Sequence, residues 1–118
     1  MAEFERLRVW RRAHELALLT YRLTKTLPDT ERFGLTDQIR RAAVAIPANI
    51  AEGHGRANET EFRPFLSVAL GSLSELQALM LLARDLHYVV EADLNEFWEL
   101  ATEVGKMTSA LLSTLRRH

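Results

Sequence analysis

The sequence contains no cysteine, which excludes a disulfide framework, a thiolate metal site and a cysteine nucleophile. Proline and glycine are scarce, at 3 and 5 of 118 residues, so the chain has few points at which to turn. No stretch reaches the roughly 18–20 uncharged apolar residues of a membrane span, and none is expected. Neither charge is in excess. Fifteen Lys and Arg stand against 16 Asp and Glu, a net charge of -1 with His neutral, whereas a strong non-specific polyanion binder carries a clear positive surplus. The opening residues, Met1 to Arg6, are acidic where a secretory signal would be basic and then apolar, so a cytoplasmic protein is the expectation. The length suits one domain over residues 1–118.

What is present favours helix. Leu, Ala, Glu and Arg are plentiful, and β-branched residues nowhere alternate with polar ones over a strand's length. Turn signals cut the chain into four periodic segments. The first runs from Leu7 to Leu27, with Val9, Ala13, Leu16, Thr20 and Leu23 on one row, and stops at Pro28. The second spans Thr36 to Glu52, with Thr36 as cap and Gly53 as terminator; Pro47 inside it predicts a kink. Asn58 and Glu61 have capping-box spacing and open a third helix that reaches Leu86. The fourth runs from Glu91 to Arg116, acidic at its start and ending on Arg116 and Arg117, both matched to the helix dipole. Short connections make these an all-α, up-down-up-down four-helix bundle. From Leu66 to Leu86 the third helix is apolar nearly all round, which in a domain of this size points to self-association.

Catalytic patterns are missing. His14, His54, His87 and His118 fall on different segments without metal-binding spacing, and no Gly-x-Ser-x-Gly elbow occurs. Gly53-His54-Gly55-Arg56 follows a helix and lacks a Lys-Ser/Thr ending, so it reads as a turn and not a phosphate loop. No catalytic residue, cofactor or metal is therefore expected. Two polar groupings remain. Arg8, Arg11 and Arg12 fall within little more than one helical turn, and Arg40 and Arg41 sit on the neighbouring helix; together they are a candidate face for phosphates. Asn49 and Glu52 share a helix face, and Glu75 lies amid Leu73 and Leu76. Those three are expected to form a buried polar network with Arg40 or Arg41 as counter-charge. Gly71, mid-helix at a cost of about 1 kcal/mol relative to Ala, suggests a close backbone approach.

The stretch Leu35-Thr36-Asp37-Gln38-Ile39-Arg40-Arg41-Ala42-Ala43-Val44-Ala45-Ile46-Pro47-Ala48-Asn49-Ile50-Ala51-Glu52-Gly53 closely resembles the signature of the bacterial four-helix bundle proteins encoded in intervening sequences of 23S ribosomal RNA genes. Leu7 to Ala13, Phe65 to Leu76 and the aliphatic last helix fit the same pattern, so the resemblance covers nearly the whole chain. It implies a homopentamer shaped as a hollow, tapered ring, with no catalytic residues. A related branch, the accessory proteins of diversity-generating retroelements, implies a basic surface that binds a reverse transcriptase and nucleic acid. This sequence departs from that branch in its near-neutral charge, and it carries Ala45 where the family usually has Ser before Ile-Pro.

Two functions follow as expectations. One is a non-enzymatic oligomeric adaptor that meets RNA, DNA or a nucleic-acid-processing protein through the arginine face. The other is a small-molecule binder or enzyme that uses Asn49, Glu52 and Glu75 at a subunit junction or ring lumen. The absence of an acid–base or metal constellation in the sequence favours the first.

Overall fold

In a computed structural model of the chain, residues 2–56 and 58–115 are described, and no strand occurs among them. Four helices carry the fold: α1 (Arg8–Leu23), α2 (Leu35–His54), α3 (Glu59–Asp85) and α4 (Asn95–Thr114). Helix α1 packs on α2 and α4, and α3 packs on the same two, with α2–α3 the most extensive pairing. The inner rows converge on one core, in which Leu16, Ile46, Leu76 and Phe97 are fully buried. The molecule measures 45 × 28 × 25 Å.

Helix ends differ from the sequence expectation for local reasons. Helix α1 stops at Leu23 and tightens into a 3-10 turn, Thr24–Thr26. There the Thr24 hydroxyl donates to the Thr20 carbonyl at 2.8 Å, a side-chain bond that competes with the helical ladder. Helix α2 starts at Leu35, one residue before the expected cap Thr36. Gly34 precedes it without a side-chain cap, and the Leu35 N–H donates instead to Glu31 Oε1 at 3.3 Å. Gly53 does not end α2, which continues to His54. A β-carbon on Gly53 would lie 2.6 Å from Phe65 Cβ, so this glycine admits α3 and is no terminator.

Asn58 caps α3 as expected, its Oδ1 accepting from the Glu61 N–H at 2.9 Å. The helix closes through His87, held at φ 64°, while the Tyr88 N–H reaches back to the Ala83 carbonyl at 2.9 Å. Residues 91–94 form a 3-10 turn ahead of α4, whose regular part begins at Asn95. Arg116 and Arg117, expected to end the last helix, lie outside the described residues.

Helix α3 carries two opposed rows. Leu66, Ala69, Leu73, Leu76, Met80 and Ala83 are buried at steps of three and four. Pro64, Val68, Gly71, Glu75, Ala78 and Leu82 follow the same steps on the far side, and every one of them is exposed. Among the described residues α3 alone is long and apolar enough to cross a membrane, with a mean hydropathy of 1.6 over its most apolar window. The sequence reading expected no apolar run of membrane length, but a single carboxylate, Glu75, does not offset so much Leu and Ala. Only 28% of that window is buried within the chain. Val68, Leu81, Leu82 and the C-cap Leu86 are each about two-fifths to one-half exposed, so α3 keeps apolar surface on its outer side.

Candidate functional site

The arginine cluster expected from the sequence is divided. Arg11 and Arg12 lie three and four positions after Arg8, yet their guanidinium groups serve different ends. Arg12 Nε and NH2 donate to Glu103 Oε2 on α4 at 3.0 and 2.6 Å, and its NH1 binds Glu15. Arg8 NH2 adds a 3.4 Å contact to Glu103 Oε1. The hydrogen bond from Arg12 is the main reason that the Glu103 carboxyl is held below its ordinary range, against some desolvation. The same bond is the main reason that Arg12 is raised above its own ordinary value. Arg8 and Arg12 thus clasp α1 to α4, and their charge is largely answered within the chain. Arg11 points away from that clasp. Its NH1 donates to the Glu5 carbonyl at 2.9 Å, and the side chain is exposed.

Arg40 and Arg41 stand at the other end of α1. Arg40 lies over the Tyr21 ring, 4.7 Å from its centroid, and its Nε donates to Thr24 Oγ1 at 2.9 Å. Twelve residues of helix, about 18 Å, separate Arg12 from Thr24, so the two arginine groups do not form one face. Arg41 is 78% exposed and only 3.9 Å from the Asp37 carboxylate. It borders a 500 Å³ cleft with Tyr21, Asp37, Arg40, Val44 and Ala45. This cleft adjoins a more apolar groove of 320 Å³ between α1 and α2, lined by His14, Ala17, Leu18, Tyr21, Val44 and Pro47.

Two cations that the sequence reading left out of the patch belong beside Arg11. Arg22 and Lys25 are exposed, and neither makes an ion pair among the described residues. Arg11, Glu15, Leu18 and Arg22 are spaced four, three and four, which puts them on one outward ridge of α1, and Lys25 follows three residues on, in the 3-10 turn that continues it. That spacing was the available signal. The ridge holds three cations to one acid over about 21 Å.

The expected buried network of Asn49, Glu52 and Glu75 does not form. Asn49 Nδ2 donates to the Ala45 carbonyl at 2.7 Å, one turn back on its own helix. Glu52 is 58% exposed and pairs with Arg56 at 3.2 Å along the same helix face. Glu75 lies on the outer row of α3, about 15 Å along the helix from Phe65, the residue that meets Gly53 beside Glu52. Of the expected counter-charges, Arg40 is engaged with Tyr21 and Thr24, while Arg41 is mostly solvated, 3.9 Å from Asp37, and reaches none of the three. The sequence logic failed because an acid beside Ile50 or Leu76 can still face water when the helix turns it through 100° per residue.

Another depression, of 610 Å³, opens at the α3–α4 corner, but its Arg84 is tied to Asp85 at 3.0 Å and lies 3.9 Å from Glu91. Among the described residues no three His, Asp or Glu side chains gather as a metal site. Gly71 meets no neighbour either: a β-carbon there would touch nothing within 4 Å. The close approach expected at Gly71 does not come from this chain.

No curated protein matches the sequence. A solved structure at 24% identity superposes with a TM-score of 0.80, covering 88% of this chain and 97% of the other. That protein, from Bacteroides thetaiotaomicron, is described as one of unknown function from the S23 ribosomal protein family, and at this identity it supports the fold alone. Residues 5–110 match the family model of the 23S rRNA-intervening sequence protein. With nearly the whole bundle inside that match, the chain belongs to the 23S rRNA-intervening sequence protein family.

Proposed function

We propose that the chain is a non-enzymatic, ring-forming scaffold that offers an arginine-rich ridge to RNA. In this reading the four helices run up-down-up-down, with α2 bent at Pro47, and five copies close the ring. The observation that carries it is the outer row of α3, a run of exposed small and apolar residues that a lone chain leaves in water. Val68 and Leu82 are each about half exposed, as are Leu18, Tyr21 and Val44 on α1 and α2. Two separate apolar surfaces on one chain suit a head-to-tail contact, which makes a ring wherever its rotation closes.

Assembly would also repeat the α1 ridge. The ridge of one copy carries three cations, Arg11, Arg22 and Lys25, too few for firm binding at a net charge of -1. Several copies let one RNA touch many such ridges, so avidity rises without a strong single site. The contacts go to phosphates and fade with salt. Filter binding of structured RNA at low salt tests this. The Arg11→Ala/Arg22→Ala/Lys25→Ala variant should lose binding, whereas Arg8→Ala/Arg12→Ala should keep most of it because those groups already serve Glu103. If wild type binds no RNA, the ridge serves a nucleic-acid-processing protein or has no such role. If both variants bind equally, the RNA site is elsewhere.

A further inference from the structure

We infer that the outer row of α3 docks into the α1–α2 groove of a second copy of this chain, with Glu75 of one copy meeting Arg41 of the next. The inference rests on the self-association proposed above and assigns the two surfaces that perform it.

Shape is the first argument. The α3 row is a narrow ridge whose middle, Gly71, has open space where a β-carbon would be, so another backbone or a large side chain can come close. The partner surface is concave: the groove between α1 and α2 is walled by Leu18, Tyr21 and Val44, with Pro47 at its floor. A mid-helix glycine that no residue of its own chain requires acquires a reason only when something outside the chain lies on it.

Charge is the second. Glu75 is the one acid among the six residues of the outer row, and no cation among the described residues pairs with it. The groove has the opposite sign at its rim, where Arg40 and Arg41 outnumber Asp37. Arg41 holds Asp37 only at 3.9 Å and is mostly solvated, so its guanidinium is available.

Register is the third, and it is independent of both. Gly53 against Phe62 and Phe65 fixes where α2 and α3 meet. Twelve residues back along α2 from Gly53 stands Arg41. Ten residues on from Phe65, and thirteen from Phe62, stands Glu75. Both are about 15–20 Å from the same contact, measured along antiparallel helices, and so at one height in the bundle. Val44 and Gly71 match in the same way, about 9–14 Å from it. In a ring whose axis runs parallel to the helices, rotation preserves height and brings Glu75 of each copy to the level of Arg41 in its neighbour.

The test is a charge exchange read by light scattering, with circular dichroism and thermal melting to confirm that each variant is folded. Glu75→Arg and Arg41→Glu, both at exposed positions, should each drop the assembly to the mass of one chain. The double variant Glu75→Arg/Arg41→Glu should restore the wild-type mass. Gly71→Trp, which meets no neighbour within its own chain, should also yield folded monomer. If wild type assembles and the single variants assemble equally well, this pairing is wrong while self-association stands. Folded single-variant monomers without recovery in the double variant would likewise overturn the Glu75–Arg41 contact. A monomeric wild type would overturn both proposals together.

Discussion

Gly53 lies so close to Phe65 that a β-carbon on it would stand 2.6 Å from Phe65 Cβ, and 2.7 Å from Phe62 Cδ1. The contact sets the register of the most extensive helix pairing in the fold. Because Phe65 Cβ is fixed to the α3 backbone, no rotamer change can clear it. Gly53→Ala should therefore push α2 and α3 apart and cost about 1–3 kcal/mol, despite the better helix propensity of Ala. Urea denaturation at a fixed protein concentration measures this, since assembly adds to apparent stability.

Glu52→Ala should do little. Glu52 is solvated and paired with Arg56 along one helix, and such pairs contribute about 0.3–0.5 kcal/mol. A loss of several kcal/mol in a denaturant titration would instead require a buried partner, as the sequence suggested.

The α1–α4 clasp should respond to acid. Glu103 is held below its ordinary range chiefly by the hydrogen bond from Arg12. A carboxyl with a lowered folded pKa stabilises the fold above its unfolded value, about 4.3 for Glu, and that contribution is lost as pH falls through the lower folded value. Glu103→Gln should consequently melt a few degrees below wild type at neutral pH, with the gap closing once both are measured in strong acid. A gap that persists unchanged to low pH would mean that the glutamine harms packing and that charge is not the cause.

His87→Gly should stabilise. His87 ends α3 at φ 64°, a conformation that strains an L side chain and that glycine adopts freely. Relief of that strain, less the added freedom of glycine in the unfolded chain, leaves about 0.5–1 kcal/mol. Thermal melting at matched concentration reads it directly.

The helices were legible because rows such as Leu66, Ala69, Leu73 and Leu76 repeat at steps that only a helix puts on one face. Gly53 was misread because a glycine after an apolar row fits either a helix stop or a close crossing, and only the second helix decides between them. Arg8 and Arg12 were assigned to a free patch because their partner, Glu103, is 91 residues beyond Arg12 in the chain. Local spacing carries no record of such a pairing. Arg22 and Lys25, by contrast, repeat the steps of Arg11 and Leu18 and could have been found from the sequence. Gly71 was singled out for a close backbone approach, which no described residue of this chain supplies.

Self-assembly through the outer row of α3 is the central claim, and multi-angle light scattering of the wild-type chain tests it most directly. At micromolar concentration in physiological salt the account predicts a single species several times the 13.5 kDa chain mass, with five copies as the expected number. A folded, monodisperse 13.5 kDa monomer would contradict it.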